Sequence, residues 1–504
     1  MEYLVVTPPV ITPSEPPSGA FLLAAGLRAR GYDAGFLDLS LAFFRHVFSR
    51  APSGRGYPDT LSAMDYLTGK VTYSPQQHRT ASGNLSTALK NYSREFPGWR
   101  ITLMDAQPPG DLHRPTSIYE SCRLGRTPFS EFWEEYLVPL LEDLRPNRVL
   151  VSLAYLSQLA AGIDLVLLLR RLGLDATVGG SLLNSLSRTG QGLDLVRAVV
   201  PESVVSDGSV FPGFSSEGPL LGDLAWPNML EEWNYIAGRP VIPFALSTGC
   251  YWNRCLFCPD SGRRLNTAGI SALEGFLDSV PDQIMEKRPI IHFLDSAVPE
   301  KPLLDSLPAL SSRGLDFYTF ARPEPWLLSR TDMLSENGCL MLQLGVESGS
   351  RNILERFCKG IDPEISLEVI RSCASSGIRT YVYMLLGLPG ETDRDTELTM
   401  ELLEEAGDSV DFINFSIFNL PENCELTERA GEFGIEILDD EIPEDSIRLY
   451  RPFLCEGSNP RLQARELISR VFPGTGSVSE ALKRTPNWFR TSHFPMIEIE
   501  GRRN

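Results

Sequence analysis

Apolar positions along the chain fall into short runs separated by stretches of helical spacing. An apolar run, YLVVTPP, precedes SGAFLLAAGLRARG, whose apolar residues lie on one helical face, and a second run, AGFLDLS, follows; Gly31 stands where the helix should stop. The order returns at RVLVSLAYLSQ, LAAGIDLVLLLRRLG and DATVGGSLL. Strand and helix alternating in this way predict an α/β doubly wound, Rossmann-like domain with a parallel sheet covered on both faces, spanning residues 1–235. Between the two halves, residues from about 46 to 128 are polar, sprinkled with aromatics and without a clear period, so they are expected to form an insertion with some helix of its own. The stretch VVSDGSVFPGFSSEGPLLGDLAWP, rich in proline and glycine, is a linker.

A second alternating series begins at Val241. VIPFALST, PIIHFLDS, LDFYTFARP, LMLQLGVES, TYVYMLLGLP and DFINFSIFNL read as six strands, with helical segments such as ALEGFLDSVPDQIMEK between them. Six such units predict a partial (β/α)6 barrel over residues 236–435, whose chemistry belongs at the carboxyl ends of the strands. Residues 436–504 form a C-terminal extension, mixed in pattern and punctuated by proline.

Size and charge sharpen this outline. A chain of 504 residues exceeds what one hydrophobic core supports, in keeping with two domains. No apolar run approaches the roughly 18 residues of a membrane helix, and the start MEYLVVTPPVITPSEPP lacks the marks of a signal peptide. A cytoplasmic protein without a membrane partner is expected. The nine cysteines are odd in number and thinly spread, so reduced thiols are the default. The net charge of -19 is uneven: residues 391–450 hold 19 acidic and three basic side chains, and residues 451–504 hold nine basic and five acidic. That segment is either a solvated helical face or an acidic rim for a cationic substrate, and no basic stripe offers a footing for nucleic acid.

Three of the cysteines are clustered. In STGCYWNRCLFCPD, Cys250, Cys255 and Cys258 can converge on one metal centre from a loop. Structural zinc takes four protein ligands, and the nearest downstream candidates are His292 and Cys339. A 4Fe-4S cluster on three thiolates leaves one iron free to bind a small molecule. A cluster or zinc held for structure alone is the non-catalytic alternative.

The cysteine loop after a first barrel strand, with Phe257 before the third cysteine, resembles the radical S-adenosylmethionine (SAM) superfamily. FLDSAVPE, FYTFARPE, LGVESGSRNILERFCKG and YVYMLLGLPGET follow in the expected order at successive strand ends. The spacing departs in one place: four residues, Tyr251 to Arg254, separate the first two cysteines where the superfamily usually has three. The resemblance implies that Cys250, Cys255 and Cys258 ligate a 4Fe-4S cluster whose free iron chelates SAM, and that reductive cleavage gives a 5'-deoxyadenosyl radical. It implies that the backbone of Phe257 meets the adenine, and that Asp295, Ser296 and Ala297 offer carbonyls to the SAM ammonium. Arg322 is implied to meet the carboxylate as a forked donor, with Glu347 and Ser348 near the ribose or ammonium. Gly387, Leu388 and Pro389 would wall the adenine. His292 is expected to be a core residue and Cys358 a packed thiol. A flavodoxin or ferredoxin is the implied electron donor.

A doubly wound domain ahead of such a barrel is similar to the cobalamin-binding class of the superfamily. Ser152, Gln158, Gly179 and Gly180, with VVSDG, are the implied cobalamin contacts; an Asp-x-His-x-x-Gly motif is missing, DLHRPT being a near miss. With cobalamin, methyl transfer to a peptide, natural-product or lipid-type small molecule is the expected reaction. Without it, the same radical chemistry would serve C-C or C-S bond formation or rearrangement.

Overall fold

The structure is a computed structural model that describes residues 1–52, 54, 57–68, 74–189, 192–200, 204–206, 221–230, 233–438, 443–456, 459–471, 473–486, 493 and 496–497. Most of the proposed linker, with Asp207 and Gly208 of VVSDG, lies outside them. The chain divides into two compact units that interleave in sequence: Met1–Pro243 with Ser271–Pro289 and Glu444–Arg448, and Phe244–Ile270 with Ile290–Pro443 and Leu449–Asn504.

The first unit is built on β1 (Tyr3–Thr7), β2 (Ala34–Asp38), β3 (Arg148–Ser152), β4 (Ala176–Gly179) and β5 (Val204–Ser206), in the spatial order β2-β1-β3-β4-β5. All four neighbouring pairs are parallel. This is the doubly wound order in which the winding reverses between β1 and β3, and ligands of such sheets bind beyond the carboxyl ends at that reversal. Residues 4–6 and 149–151 are buried, as strands covered on both faces must be. Helix α1 (Ser18–Ala29) ends before Gly31, and the helix Leu39–Arg50 begins on Asp38, whose carboxylate accepts from the backbone N–H groups of Ser40 and Leu41.

The insertion is helical, with helices at Thr60–Leu67, Pro75–Ser93 and Pro115–Arg123. Its aromatics pack on rings that flank it: Tyr92 meets Phe43 and Phe96, and Trp99 meets Phe129 in a cluster with Phe132 and Trp133. Beside it the buried Asp164 accepts from the Thr127 hydroxyl and the Trp133 indole, each at 2.8 Å. The helix Ile270–Asp278, read from sequence as part of the barrel series, packs in this unit, with Phe276 against Phe21 and Trp226.

The six-stranded sheet is made of β6 (Val241–Phe244), β7 (Ile290–Phe293), β8 (Asp316–Ala321), β9 (Cys339–Glu347), β10 (Arg379–Leu386) and β11 (Phe412–Ile417). They lie side by side in chain order, and β7 to β11 pair in parallel throughout. A sheet wound in one direction with helices between its strands is the partial barrel expected from sequence. The C-terminal extension follows its edge: the amide of Ile413 on β11 donates to the Thr485 hydroxyl at 3.0 Å, just past the helix Ser477–Arg484.

Candidate functional site

The three clustered cysteines sit on the loop that leaves β6. Its neck is closed by an antiparallel ladder pairing Ser247 with Thr267 and Thr248 with Asn266. Beneath the neck, Asp295 at the end of β7 is buried and accepts from the Ser247 hydroxyl at 2.5 Å and the Leu246 amide at 3.1 Å. Burial pushes its carboxyl up to about 6, although four hydrogen bonds oppose the shift. Asp295 therefore anchors the loop through its side chain, while Ser296 is exposed and Ala297 buried.

The extra residue between Cys250 and Cys255 is absorbed at Asn253, which adopts a left-handed φ of 51°. Asn253 accepts from the Gly262 amide at 2.7 Å, so the turn is tied across the loop. Its neighbours bind the loop to the barrel. The Tyr251 hydroxyl donates to Glu324 at 3.0 Å, and the Trp252 indole donates to the Cys358 carbonyl at 2.7 Å. The Trp252 ring lies against Gly360, where any Cβ would collide with it. Further along, the Leu256 amide donates to Phe357, and Leu256 and Phe257 pack on the buried cluster of Ile353, Phe357 and Leu388.

Arg322, at the end of β8 and only 4% exposed, is sandwiched in this assembly. Its guanidinium lies 4.7 Å from the Trp252 ring centre, donates from Nε to Glu324 at 2.7 Å, and donates from Nη2 to the Lys359 carbonyl at 2.6 Å. Two of its donor nitrogens are thus engaged within the protein. Lys359, which the sequence reading did not single out, supplies a second buried cation, with Nζ 2.7 Å from Glu347. Glu347 takes a left-handed φ of 67° to turn its carboxylate toward it. Both atoms hang over Gly345, 3.1 and 3.2 Å from where a Cβ would stand.

These charges act on the thiols. Burial raises Cys255 while Lys359 and Arg322 pull it back toward thiolate, and burial pushes Cys258 up to about 11. All three thiols are half-buried and free of disulfides. They do not crowd as ligands of one ion do: among the described residues, the trio of ligand atoms within 4.8 Å of one another is His46, Glu131 and Glu135. Arg50 already pairs with that trio. Three half-buried thiols held on one loop are soft donors of the kind that an iron–sulfur cluster takes.

The remaining sequence candidates are placed as follows. Ser348 is buried and turned to Thr399, 3.2 Å away. Gly387 and Leu388 donate their amides to Glu391 at 2.6 and 3.3 Å, which shapes the turn after β10; burial raises Glu391 to about 7. His292 is a core residue stacked on Tyr318 at 4.3 Å. Cys358 is exposed rather than packed: the helix Arg351–Arg356 ends before it, and its own left-handed φ of 55° turns the thiol outward.

In the first unit, Ser152, Gln158, Gly179 and Gly180 gather at the carboxyl ends of β3 and β4. Gln158 is fully buried, and its amide is used completely. It donates to Thr7 at 3.0 Å and Pro8 at 2.8 Å, and accepts from the amides of Ala154 and Tyr155. This side chain ties the ends of β1 and β3 together at the winding reversal. Gly180, at φ 110°, lets its backbone lie on Leu153, where a Cβ would strike the Leu153 carbonyl. Tyr155, unmarked in the sequence reading, is half exposed at the same edge.

Residues 244–403 match the family model described as the Radical SAM superfamily. An uncharacterized methyltransferase of Pyrococcus horikoshii is 26% identical over 35% of this chain and 39% of its own length. An uncharacterized protein of Methanocaldococcus jannaschii is 25% identical over 49% of this chain and 79% of its own length. Among solved structures, the fold resembles the radical SAM methyltransferase TsrM of Kitasatospora setae, solved with cobalamin and a [4Fe-4S] cluster. That likeness has a TM-score of 0.55 and 14% identity, and covers 93% of this chain and 88% of that one. No helix among the described residues is long and apolar enough to cross a membrane.

Proposed function

We propose that this chain, a member of the radical SAM superfamily, is a cobalamin-dependent methyltransferase acting on a small molecule or peptide. The observation that carries the reading is the cysteine loop: three thiols pinned at the neck by Asp295 and latched through Trp252 to the cationic pair Arg322 and Lys359. In this reading Cys250, Cys255 and Cys258 hold the cluster. Arg322 and Lys359 set the local charge, and the backbone around Phe257 and the Gly387–Pro389 turn hold SAM.

For cobalamin, the support is the sheet order β2-β1-β3-β4-β5, with its reversal between β1 and β3, and a fold likeness that spans both units. The edge there can seat a flat cofactor. Gly180 brings backbone close, Ser181 is exposed, and Tyr155 presents a half-exposed ring, while Gln158 holds the two loops rigid instead of serving as a ligand. When bound, the cluster and SAM supply a hydrogen-abstracting radical, and cobalamin supplies a transferable methyl group. The chain's own contribution is to bind, to orient and to keep water from the cluster, for which the aromatic cover of Tyr251, Trp252 and Phe257 is placed.

The test is anaerobic reconstitution with iron and sulfide, followed by gel filtration with hydroxocobalamin. Retention of cobalamin, together with formation of 5'-deoxyadenosine from SAM and reductant, is the expected result. Formation of 5'-deoxyadenosine without retention would leave a radical SAM enzyme whose first unit serves another purpose.

A further inference from the structure

The inner face of the six-stranded sheet has a closed floor and an open upper part. His493, from the C-terminal extension, is buried with its imidazole among side chains of three strands. Its ring centre lies 5.6 Å from His292 on β7, 5.3 Å from Tyr318 and 6.4 Å from Phe320 on β8, and 5.8 Å from Tyr381 on β10. One side chain can meet all four only if they face a common interior. Period two along each strand then puts Gln343, Tyr383, Asn414 and Ser416 on the same side, in register with their neighbours.

Burial shows where this interior is open. His292, Tyr318, Gln343, Tyr381 and His493 are buried, whereas Phe320, Tyr383, Asn414 and Ser416, nearer the carboxyl ends, are half-buried. The alternate residues, such as Leu342, Leu344, Val382 and Met384, are buried on the outer face. Toward the end of the barrel that carries the cysteine loop, Phe320, Tyr383, Asn414 and Ser416 thus leave the inner face partly open.

The lining has a definite chemistry. Phe320 and Tyr383 meet at 5.3 Å, and Tyr381 and Tyr383 at 4.5 Å. The Tyr383 hydroxyl donates to the Gln343 side-chain oxygen at 2.9 Å, which fixes the amide; its Nε2 is buried with no acceptor among the described residues. The charges above are neutralised pairwise, Lys359 by Glu347 and Arg322 by Glu324, each at 2.7 Å. A charged ligand would find no unpaired partner in these two pairs, while a flat ring would find aromatic walls and one unused donor.

We propose that this chamber binds an uncharged aromatic or heteroaromatic ring bearing a hydrogen-bond acceptor, and that His493 of the C-terminal extension is its floor. That the ring is the substrate rests on the function proposed above; that the chamber binds it does not. Among the described residues of the acidic segment, pairs such as Arg394 with Glu401 and Arg429 with Glu425 lie at the surface.

Equilibrium dialysis of the reconstituted full chain against quinoline, cyclohexanone and benzylammonium tests this. Quinoline should be retained about fivefold to tenfold more tightly than cyclohexanone, which has an acceptor but no aromatic ring, and than benzylammonium, which has an aromatic ring but a charge. Phe320→Leu should lower quinoline retention by about fivefold. Equal retention of cyclohexanone, preference for benzylammonium, or indifference to Phe320→Leu would overturn the proposal. The three-ligand comparison needs no variant, so a misfolded variant cannot leave the matter undecided. Assaying the same preparation for 5'-deoxyadenosine separates the two readings: loss of SAM cleavage with selective quinoline binding would sink the proposed function and leave the chamber standing.

Discussion

Replacing Gly360 by alanine tests whether the Trp252 latch holds the cysteine loop. Gly360 sits at φ 68°, and its added Cβ would collide with the Trp252 ring. Gly314 is the control: it ends a helix at φ 62° with nothing within 4 Å of an added Cβ. Both substitutions carry the left-handed backbone cost of about 1–2 kcal/mol. Only Gly360→Ala also displaces the indole, losing its 2.7 Å hydrogen bond to Cys358 and the contact with Arg322 at 4.7 Å. Those losses amount to about 1 kcal/mol for the hydrogen bond and about 1–2 kcal/mol for the partly desolvated cation–π contact. The difference from the control, about 2–3 kcal/mol, raises the population of opened loop by about 30- to 150-fold. The assay is iron content after anaerobic reconstitution, followed by the rate of bleaching of the visible cluster absorbance in air, with far-ultraviolet circular dichroism to confirm folding. Gly360→Ala should fold, hold less iron and bleach far faster than Gly314→Ala. Equal iron content and equal bleaching in the two variants would refute the latch.

Three other outcomes follow from the same geometry. Burial raises Glu391 to about 7 in the folded chain against an ordinary 4.5, so the native state gains protons, and stability, as pH falls from about 7 toward 4.5. Glu391→Gln should therefore be more stable than the parent by on the order of 2–3 kcal/mol at pH 8, an advantage that disappears by pH 5 in denaturant titrations; no change with pH would contradict the assignment. Gln158→Leu takes this partner from the part-buried amides of Ala154 and Tyr155 and from the Pro8 carbonyl and should cost about 1–3 kcal/mol, read as a lower urea midpoint. Lys359→Met strands the Glu347 carboxylate, and adding Glu347→Gln should recover part of the lost stability, whereas additive losses would mean the pair is uncoupled.

The alternation of apolar runs with helices was enough to give both sheets, because strands buried on two faces and helices with one apolar stripe leave unmistakable periods. The cysteine loop was equally plain, since its residues are local. The supporting contacts were not, because they join positions far apart: Trp252 to Gly360, Tyr251 to Glu324, Lys359 to Glu347. In the sequence, KG after a short helix reads as a helix stop and nothing more. Cys358 is exposed where a packed thiol is expected from sequence, because the helix Arg351–Arg356 ends before it. Gln158 lies at the edge of the first sheet, and spacing alone could not show that its amide is spent on Thr7, Pro8, Ala154 and Tyr155. His493 has no periodic neighbours to announce it, and only the folded chain brings it to Tyr318 and Tyr381.

The central claim is that three thiolates hold a cluster with one iron open to SAM. Mössbauer spectroscopy of the chain reconstituted with iron-57, recorded before and after SAM is added, measures this directly. A single iron site of a [4Fe-4S] cluster should change its isomer shift when SAM binds while the others stay as they were. A spectrum unmoved by SAM, or a metal analysis that finds zinc in place of iron, would contradict it.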